Sequence, residues 1–255
     1  MLGSMKVKNM IISICRGIGF YPTPLIKRTD LKTFENLLRP VLNGHQLIRL
    51  GSENDGGYLL PDDLEGIREC ISPGVSNNMS FETEIWDKFK IESLMYDGSC
   101  DAPESITANQ KFYKLFVGSI DQPNYISMFK IINEHVLYKD HDLLGQIDIE
   151  EGEYDFIKFA SQSDLSKFRI LVIEFHNLEK WLHSNFFKET VMSVFDKLNL
   201  SFDLVHNHPN TACGYFRFNG VKFPKVVELT FHRKDRAKSY GGFAKIPHPL
   251  DRDNF

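Results

Sequence analysis

Residues 201–234 read SFDLVHNHPNTACGYFRFNGVKFPKVVELTFHRK. Two β-rich runs, "SFDLVHNH" and "KVVELTFHRK", flank the turn-rich "PNTACGYFRFNG" with no helix between them. Parallel neighbours need a crossover of a dozen or more residues, usually a helix. These two strands therefore close as an antiparallel pair at one edge of a sheet. Upstream the pattern is different. From residue 67 strand-like and helix-like text alternates, which sets an α/β class with a largely parallel sheet.

Working back from the hairpin, "WLHSNFFKETVMSVFDKL" reads as one long amphipathic helix and "FRILVIEFHN" as a buried strand around Leu171, Val172 and Ile173. "DLLGQIDIE" is a strand, "EYDFIKFA" starts a helix, "YISMFKIINEHV" is helical and "FYKLFVGS" is a further apolar run. "IESLMYDG" is a strand ending in Asp97. "SFETEIWDKF" has helical spacing at Phe81, Ile85 and Phe89, and "ECISPGV" is a short strand ending in Pro-Gly. Ahead of these, "HQLIRLGSENDGGYLLP" reads as strand, polar turn, strand. A helix over residues 30–39, with Phe34, Leu37 and Leu38 on its apolar face, is stopped by Pro40.

The chain has 255 residues, 42% hydrophobic and 25% charged, as in soluble globular proteins. A 13% aromatic share argues for a large core and against disorder. The net charge of −4 gives no basic excess, so nucleic acid is not expected as the main partner. Cys15, Cys70, Cys100 and Cys213 are scattered without C-x-x-C spacing, which suits reduced thiols and a cytoplasmic location. No apolar run has membrane-spanning length. "MLGSM" reads as a vector remnant over residues 1–4 before Met5. Residues 5–46 form an N-terminal segment, and 47–255 the main domain, expected to be one compact unit with it.

In open α/β sheets, ligands sit at the carboxyl ends of strands. The sequence places there Gly74, Ser76 and Asn77; Asp97 and Gly98; Ser119; Asp148 and Glu150; Glu174, His176 and Asn177; and His206, His208 and Asn210. Gly74 either lets backbone approach a ligand or forms a plain turn. Asp97, at a second strand end, either accepts from ribose hydroxyls or caps the next segment. Glu174 and His176 share one strand face, as do His206 and His208; each pair reads as a base with its orienter, as metal ligands, or as an ordinary polar strand exit. In "QIDIEEGEYD", residues 146–155, alternation puts Asp148 and Glu150 on one face towards the crevice. Glu151, Glu153 and Asp155 fall in the turn and the first helical turn, where acids favour the dipole.

"IDIEEGEYD" resembles the D-[IV]-E-G-x-E motif of the FkbM family of S-adenosylmethionine-dependent methyltransferases, with one inserted Glu. "RLGSENDGGYLL" (49–60), "SPGVSNNMSFE" (72–82), "MYDG" (95–98), "IEFHNLE" (173–179), "HNHPN" (206–210), "VVELTFHRK" (226–234) and "PHPLDRDN" (247–254) resemble a branch of that family, in order. The resemblance implies a Rossmann-like class I methyltransferase fold: a seven-stranded, mostly parallel sheet with helices on both faces and an antiparallel last strand. It departs at the nucleotide loop, where Ser72-Pro73-Gly74-Val75-Ser76 replaces an acid and G-x-G. It implies S-adenosylmethionine as cofactor and S-adenosylhomocysteine as product, with Arg49, Asp55, Gly56, Gly57 and Tyr58 at the methionine end. Asp97 takes the ribose, Asn77, Phe81 and Ser119 surround the purine, and Gly74, Ser76, Gly98, Asp148 and Glu150 complete the site.

The implied reaction is O-methylation of a sugar or cell-surface glycan precursor in a bacterium, as in capsule or lipopolysaccharide decoration. The base comes from His176, His206 or His208, oriented by Asp148 or Glu174. A divalent metal on Asp148, Glu174 and His206 is an alternative way to acidify the hydroxyl, one the sequence does not require. Lys222, Lys225, Arg233 and Lys245 would line a pocket for an anionic, phosphoryl-bearing precursor, or else are solvated charges. A metal-dependent hydrolase with the same acids and histidines, and a non-catalytic ligand-binding relative, are the rival readings. The chain is expected as a monomer or homodimer.

Overall fold

Strands covered on both faces are buried throughout their length and mostly apolar. β5 (Phe168–Phe175) is the extreme case, with every residue buried. In the computed structural model, which describes residues 10, 13–15, 23–76 and 78–255, β5 lies inside a seven-stranded sheet. The other strands are β1 (Glu69–Pro73), β2 (Glu92–Tyr96), β3 (Gln110–Tyr113), β4 (Leu143–Ile147), β6 (Phe202–Pro209) and β7 (Val227–Arg233). Their spatial order is β6-β7-β5-β4-β1-β2-β3. β1 through β5 pair in parallel, and β7 alone runs opposite, against both β5 and β6. This is the Rossmann-like class I methyltransferase fold, with its antiparallel strand in the edge pair read from residues 201–234.

Helices cover both faces. On one, α2 (Ser80–Phe89) and the hairpin Leu47–Gly51/Gly57–Pro61 bury Leu50, Tyr58, Leu60, Phe81 and Ile85 against Leu144, Ile170 and Val172. On the other, α3 (Gly152–Phe159) and α4 (Met192–Ser201) bury Phe156, Ile157, Phe195 and Leu198 on Leu171, Ile173 and Phe231. Helix α1 (Arg28–Leu37) joins this second core through Phe34, whose ring lies 4.9 Å from Trp181 and 4.8 Å from Phe223.

Three segments differ from expectation. The long helix over 181–198 begins at Ser184, because His183 is extended and Ser184 N donates to Pro24 O. It then winds through a π-turn, Phe187–Val191, before α4. The run "FYKLFVGS" divides into β3 and a separate strand, Phe116–Gly118, which pairs in parallel with Tyr125–Ser127. Helix formation in "YISMFKIINEHV" therefore waits for Ser127, whose hydroxyl caps Lys130 N at 3.2 Å. The turn-rich "PNTACGYFRFNG" contains most of a hairpin, Tyr215–Phe218/Val221–Pro224. Its Asn219-Gly220 turn has both residues at positive φ, and this N-G signal was present in the sequence. Among the described residues no helix is long and apolar enough to cross a membrane.

Candidate functional site

The strand order reverses between β1 and β4, so their carboxyl ends frame the crevice of the fold. The chain leaves β1 at Gly74, with φ at +88°. A Cβ there would stand 1.4 Å from the Asp148 carbonyl oxygen. Gly74 thus admits the neighbouring strand end, and Asp148 N donates to Pro73 O across the same contact at 3.1 Å.

β4 stops at Ile147, so the face shared by Asp148 and Glu150 does not come from strand alternation. Glu150 and Glu151 instead form a tight turn, both at positive φ, closed by Gly152 N donating to Ile149 O at 2.9 Å. Left-handed backbone is costly for Glu, and such cost concentrates at functional sites. The turn absorbs the extra residue of the motif. It sends Glu151 outward to Asn177 and Lys180, sets Glu150 at the rim, and brings Glu153 inward. Glu153 is 0% exposed and accepts from the His176 backbone N at 2.7 Å, a role that its place in the first helical turn did not disclose.

A cleft of about 380 Å³ opens above β4 and β5, lined by Asp55, Asp148, Glu174, His176, Asn210 and Lys225 among others. His176 Nε2 lies 3.6 Å from Asp148 Oδ1, 3.6 Å from Glu150 Oε2 and 3.8 Å from Glu174 Oε1; Nδ1 lies 3.4 Å from Glu153 Oε1. Asn210 donates to Glu174 at 2.9 Å. Burial raises the Glu174 carboxyl, and the Asp148 and Glu228 charges raise it further. Burial also raises Asp148, against the pull of His176. For His176 burial acts downward, but Glu153, Glu174 and Asp148 outweigh it and hold the imidazole above its ordinary value.

A smaller cavity of about 80 Å³ adjoins the cleft, sharing Asp55 and Asp148 and walled by Tyr58, Gly74, Ser76, Phe81, Glu82 and Gln146. Glu82 is 1% exposed; Ser72 donates to its Oε1, and its Oε2 has no hydrogen-bond partner among the described residues. Burial pushes this carboxyl up to about 7. Sequence reasoning did not single out Glu82, which lies within the quoted "SPGVSNNMSFE".

Asp55 lines both cavities, and Asn254 Nδ2 reaches it at 3.4 Å and Glu228 at 2.7 Å, so the C-terminal stretch buttresses the site. Gly57 lets Ser52 O approach, and Gly56 lies against the Asn78 amide. Arg49 Nη2 donates to Ser52 O and Asn54 O, shaping the hairpin turn. Tyr58 and Phe81 pack edge to face at 5.4 Å, and Gln146 donates to the Tyr58 hydroxyl. Asp97 accepts from Ser76 N at 3.0 Å and Ser99 N at 2.8 Å, so both oxygens tie the loop. Gly98 packs under the Phe116 ring, Ser119 lines neither cavity, and Asn77 lies outside the described residues.

His206 and His208 do not join His176. Their rings stack at 6.4 Å, and His206 Nε2 bonds Asp251 at 2.9 Å, with His208 Nδ1 at 3.7 Å from the same carboxylate. The metal-type grouping of Asp148 and Glu174 is completed by His176, not His206. Of the four basic candidates, Lys225 lines the cleft. Arg233 pairs with Asp142 and Asp235, Lys222 lies over Tyr215, and Lys245 is exposed.

No protein-family model matches the chain, and the search of curated proteins gives no match. Among solved structures, the chain is similar to a fibrillarin/Nop5p complex, at 11% identity, 76% of this chain, 98% of that one and a TM-score of 0.39. It is also similar to the 23S rRNA methyltransferase ErmE, at 10% identity, 86% and 72% coverage and a TM-score of 0.34. A third is a 16S rRNA (adenine(1408)-N(1))-methyltransferase from Catenulisporales acidiphilia, at 12% identity, 78% and 98% coverage and a TM-score of 0.34. At these scores the likenesses add nothing to what the strand order defines.

Proposed function

We propose that the chain is an S-adenosylmethionine-dependent methyltransferase of the FkbM type, acting on a hydroxyl of a sugar or glycan precursor. The observation that carries this reading is the pair of acid-walled cavities meeting at Asp55 and Asp148, over the crevice of a class I methyltransferase sheet. The cofactor bears a sulfonium and an ammonium, and carboxylates suit both. The buried, unpaired Glu82 Oε2 fits an ammonium donor, and the Tyr58–Phe81 wall offers apolar contact. The cofactor supplies the methyl group, and the chain supplies position and charge. Methyl transfer needs the acceptor oxygen in line with the S–C bond, so most of the acceleration comes from positioning. As the O–C bond forms, the S–C pair returns to sulfur and the hydroxyl proton passes to a carboxylate at the junction, Asp55 or Asp148. The cleft's acidic lining favours a neutral polyhydroxylated acceptor over an anionic one.

Saturating S-adenosylhomocysteine, at about 100 times Kd, is expected to stabilise the protein by about 2.7 kcal/mol. In a thermal melt this reads as a rise of roughly 5–10 °C. No shift at millimolar ligand removes the methyltransferase reading. Glu82→Gln is expected to weaken S-adenosylhomocysteine about tenfold by calorimetry, through loss of one charge-assisted hydrogen bond. Unchanged affinity would take Glu82 out of the cofactor site.

A further inference from the structure

We propose that Asp148, Glu174 and His176 form a divalent-cation site, taking an ion of the Mn²⁺ class on the floor of the acceptor cleft. The binding claim stands on the cluster itself; only the ion's chemical role rests on the methyltransferase reading. One donor atom from each residue lies within 4.8 Å of the other two. His176 is 6% exposed, yet neither ring nitrogen makes a hydrogen bond among the described residues. Its Nε2 faces Asp148 Oδ1 at 3.6 Å and Glu174 Oε1 at 3.8 Å. Those separations are too long for hydrogen bonds. Donors about 2.1 Å from one ion stand roughly 3 Å apart, so a small contraction closes the set.

The support behind the donors has the form that metal sites use. Glu153, fully buried, accepts from His176 N and lies 3.4 Å from Nδ1. Its charge behind the imidazole favours a proton on Nδ1, which leaves the Nε2 lone pair facing the ion. Asn210 holds Glu174 in the same way, at 2.9 Å. The mixed imidazole and carboxylate set suits a first-row divalent metal, and three protein donors leave coordination positions open. Glu150 stands at the rim, 3.6 Å from Nε2, and Lys225 is the basic group lining the cleft.

A second cluster of metal-ligating residue types, with two imidazoles and one carboxylate, shows the contrast. His45, Asp63 and His232 are equally close together, but Arg236 donates twice to Asp63 at 2.8 Å and Arg169 lies 3.6 Å away. Asn43 and Asp63 occupy both His232 nitrogens, and His45 Nε2 is held by Arg236 O. Paired with two guanidiniums, that cluster has no charge left for a cation. At the first cluster the ion would hold the acceptor hydroxyl on its open side and increase its acidity, leaving Asp55 to accept the proton.

The test uses the full chain, stripped with chelator and titrated with Mn²⁺ while free Mn²⁺ is followed by electron paramagnetic resonance. One equivalent is expected to bind. Glu174→Gln and His176→Ala should weaken it at least tenfold, Glu153→Gln tenfold to a hundredfold, and His45→Ala should leave it unchanged, each variant being checked for native circular dichroism. Absence of stoichiometric binding, or binding that survives in Glu174→Gln and His176→Ala, overturns the site. S-adenosylhomocysteine binding measured without metal separates the two claims. Nucleoside bound without Mn²⁺ binding removes the ion alone, and Mn²⁺ bound without nucleoside removes the methyltransferase role while the ion site stands.

Discussion

Gly74→Ala is expected to cost at least about 4 kcal/mol of folding stability, a loss in the range that singles out a specific structural defect. Two terms combine. Left-handed backbone costs an L residue roughly 1–2 kcal/mol, and Gly74 has φ at +88°. The added methyl would also stand 1.4 Å from the Asp148 carbonyl oxygen, which is backbone and has no rotamer to escape into. The β1 and β4 ends would have to part, breaking the Asp148 N–Pro73 O hydrogen bond on which the cleft is built. Gly242→Ala is the control. Its φ is +91° with nothing within 4 Å of the added Cβ, so it should show the conformational cost alone. Urea denaturation of both variants measures the difference. Equal losses would mean that the close approach of β1 to β4 carries no weight.

The same contact explains why the sheet was legible in the sequence and the site less so. Apolar runs such as 170–173 announce buried strands through composition, and a missing crossover announces the antiparallel edge. Those are local signals. Gly74 could be read only as a turn or a ligand approach, because its actual neighbour, Asp148, is distant in sequence. Strand alternation grouped Glu174 with His176 and His206 with His208, and both pairs do share faces. It could not say that Asp251, from the C-terminal stretch, would bind His206 and leave His176 alone in the cleft. Glu82 and Glu153 illustrate the limit most sharply. Each sits in the first turn of a helix, where an acid satisfies the dipole and attracts no notice. Their burial is a product of tertiary packing, and no spacing rule encodes it.

Glu174→Gln is expected to lower kcat by about 10²–10³-fold, the size typical of losing one preorganised electrostatic group at the reacting centre. S-adenosylhomocysteine affinity should stay within about threefold, because Glu174 lines the larger cleft and not the cavity beside Tyr58 and Glu82. Glutamine keeps the shape and can still accept from Asn210 through its carbonyl oxygen, so a packing role alone predicts little change. Stability supplies the discriminating sign. Burial and the neighbouring acids raise the Glu174 carboxyl above its ordinary value. A raised carboxyl favours the folded state at low pH, and that contribution is lost as pH rises through the folded-state value. The variant should therefore match the parent near pH 4 and exceed it in chemical denaturation at pH 8. A residue kept for packing would retain turnover and gain no stability at pH 8, because Gln preserves its shape and its Asn210 contact. Lower turnover together with higher stability at pH 8 would identify Glu174 as a carboxyl held in the cleft at the fold's expense, the trade that functional sites make. If the variant proves less stable at pH 8 and fully active, Glu174 belongs to the scaffold and the acidic cluster loses its place in methyl transfer.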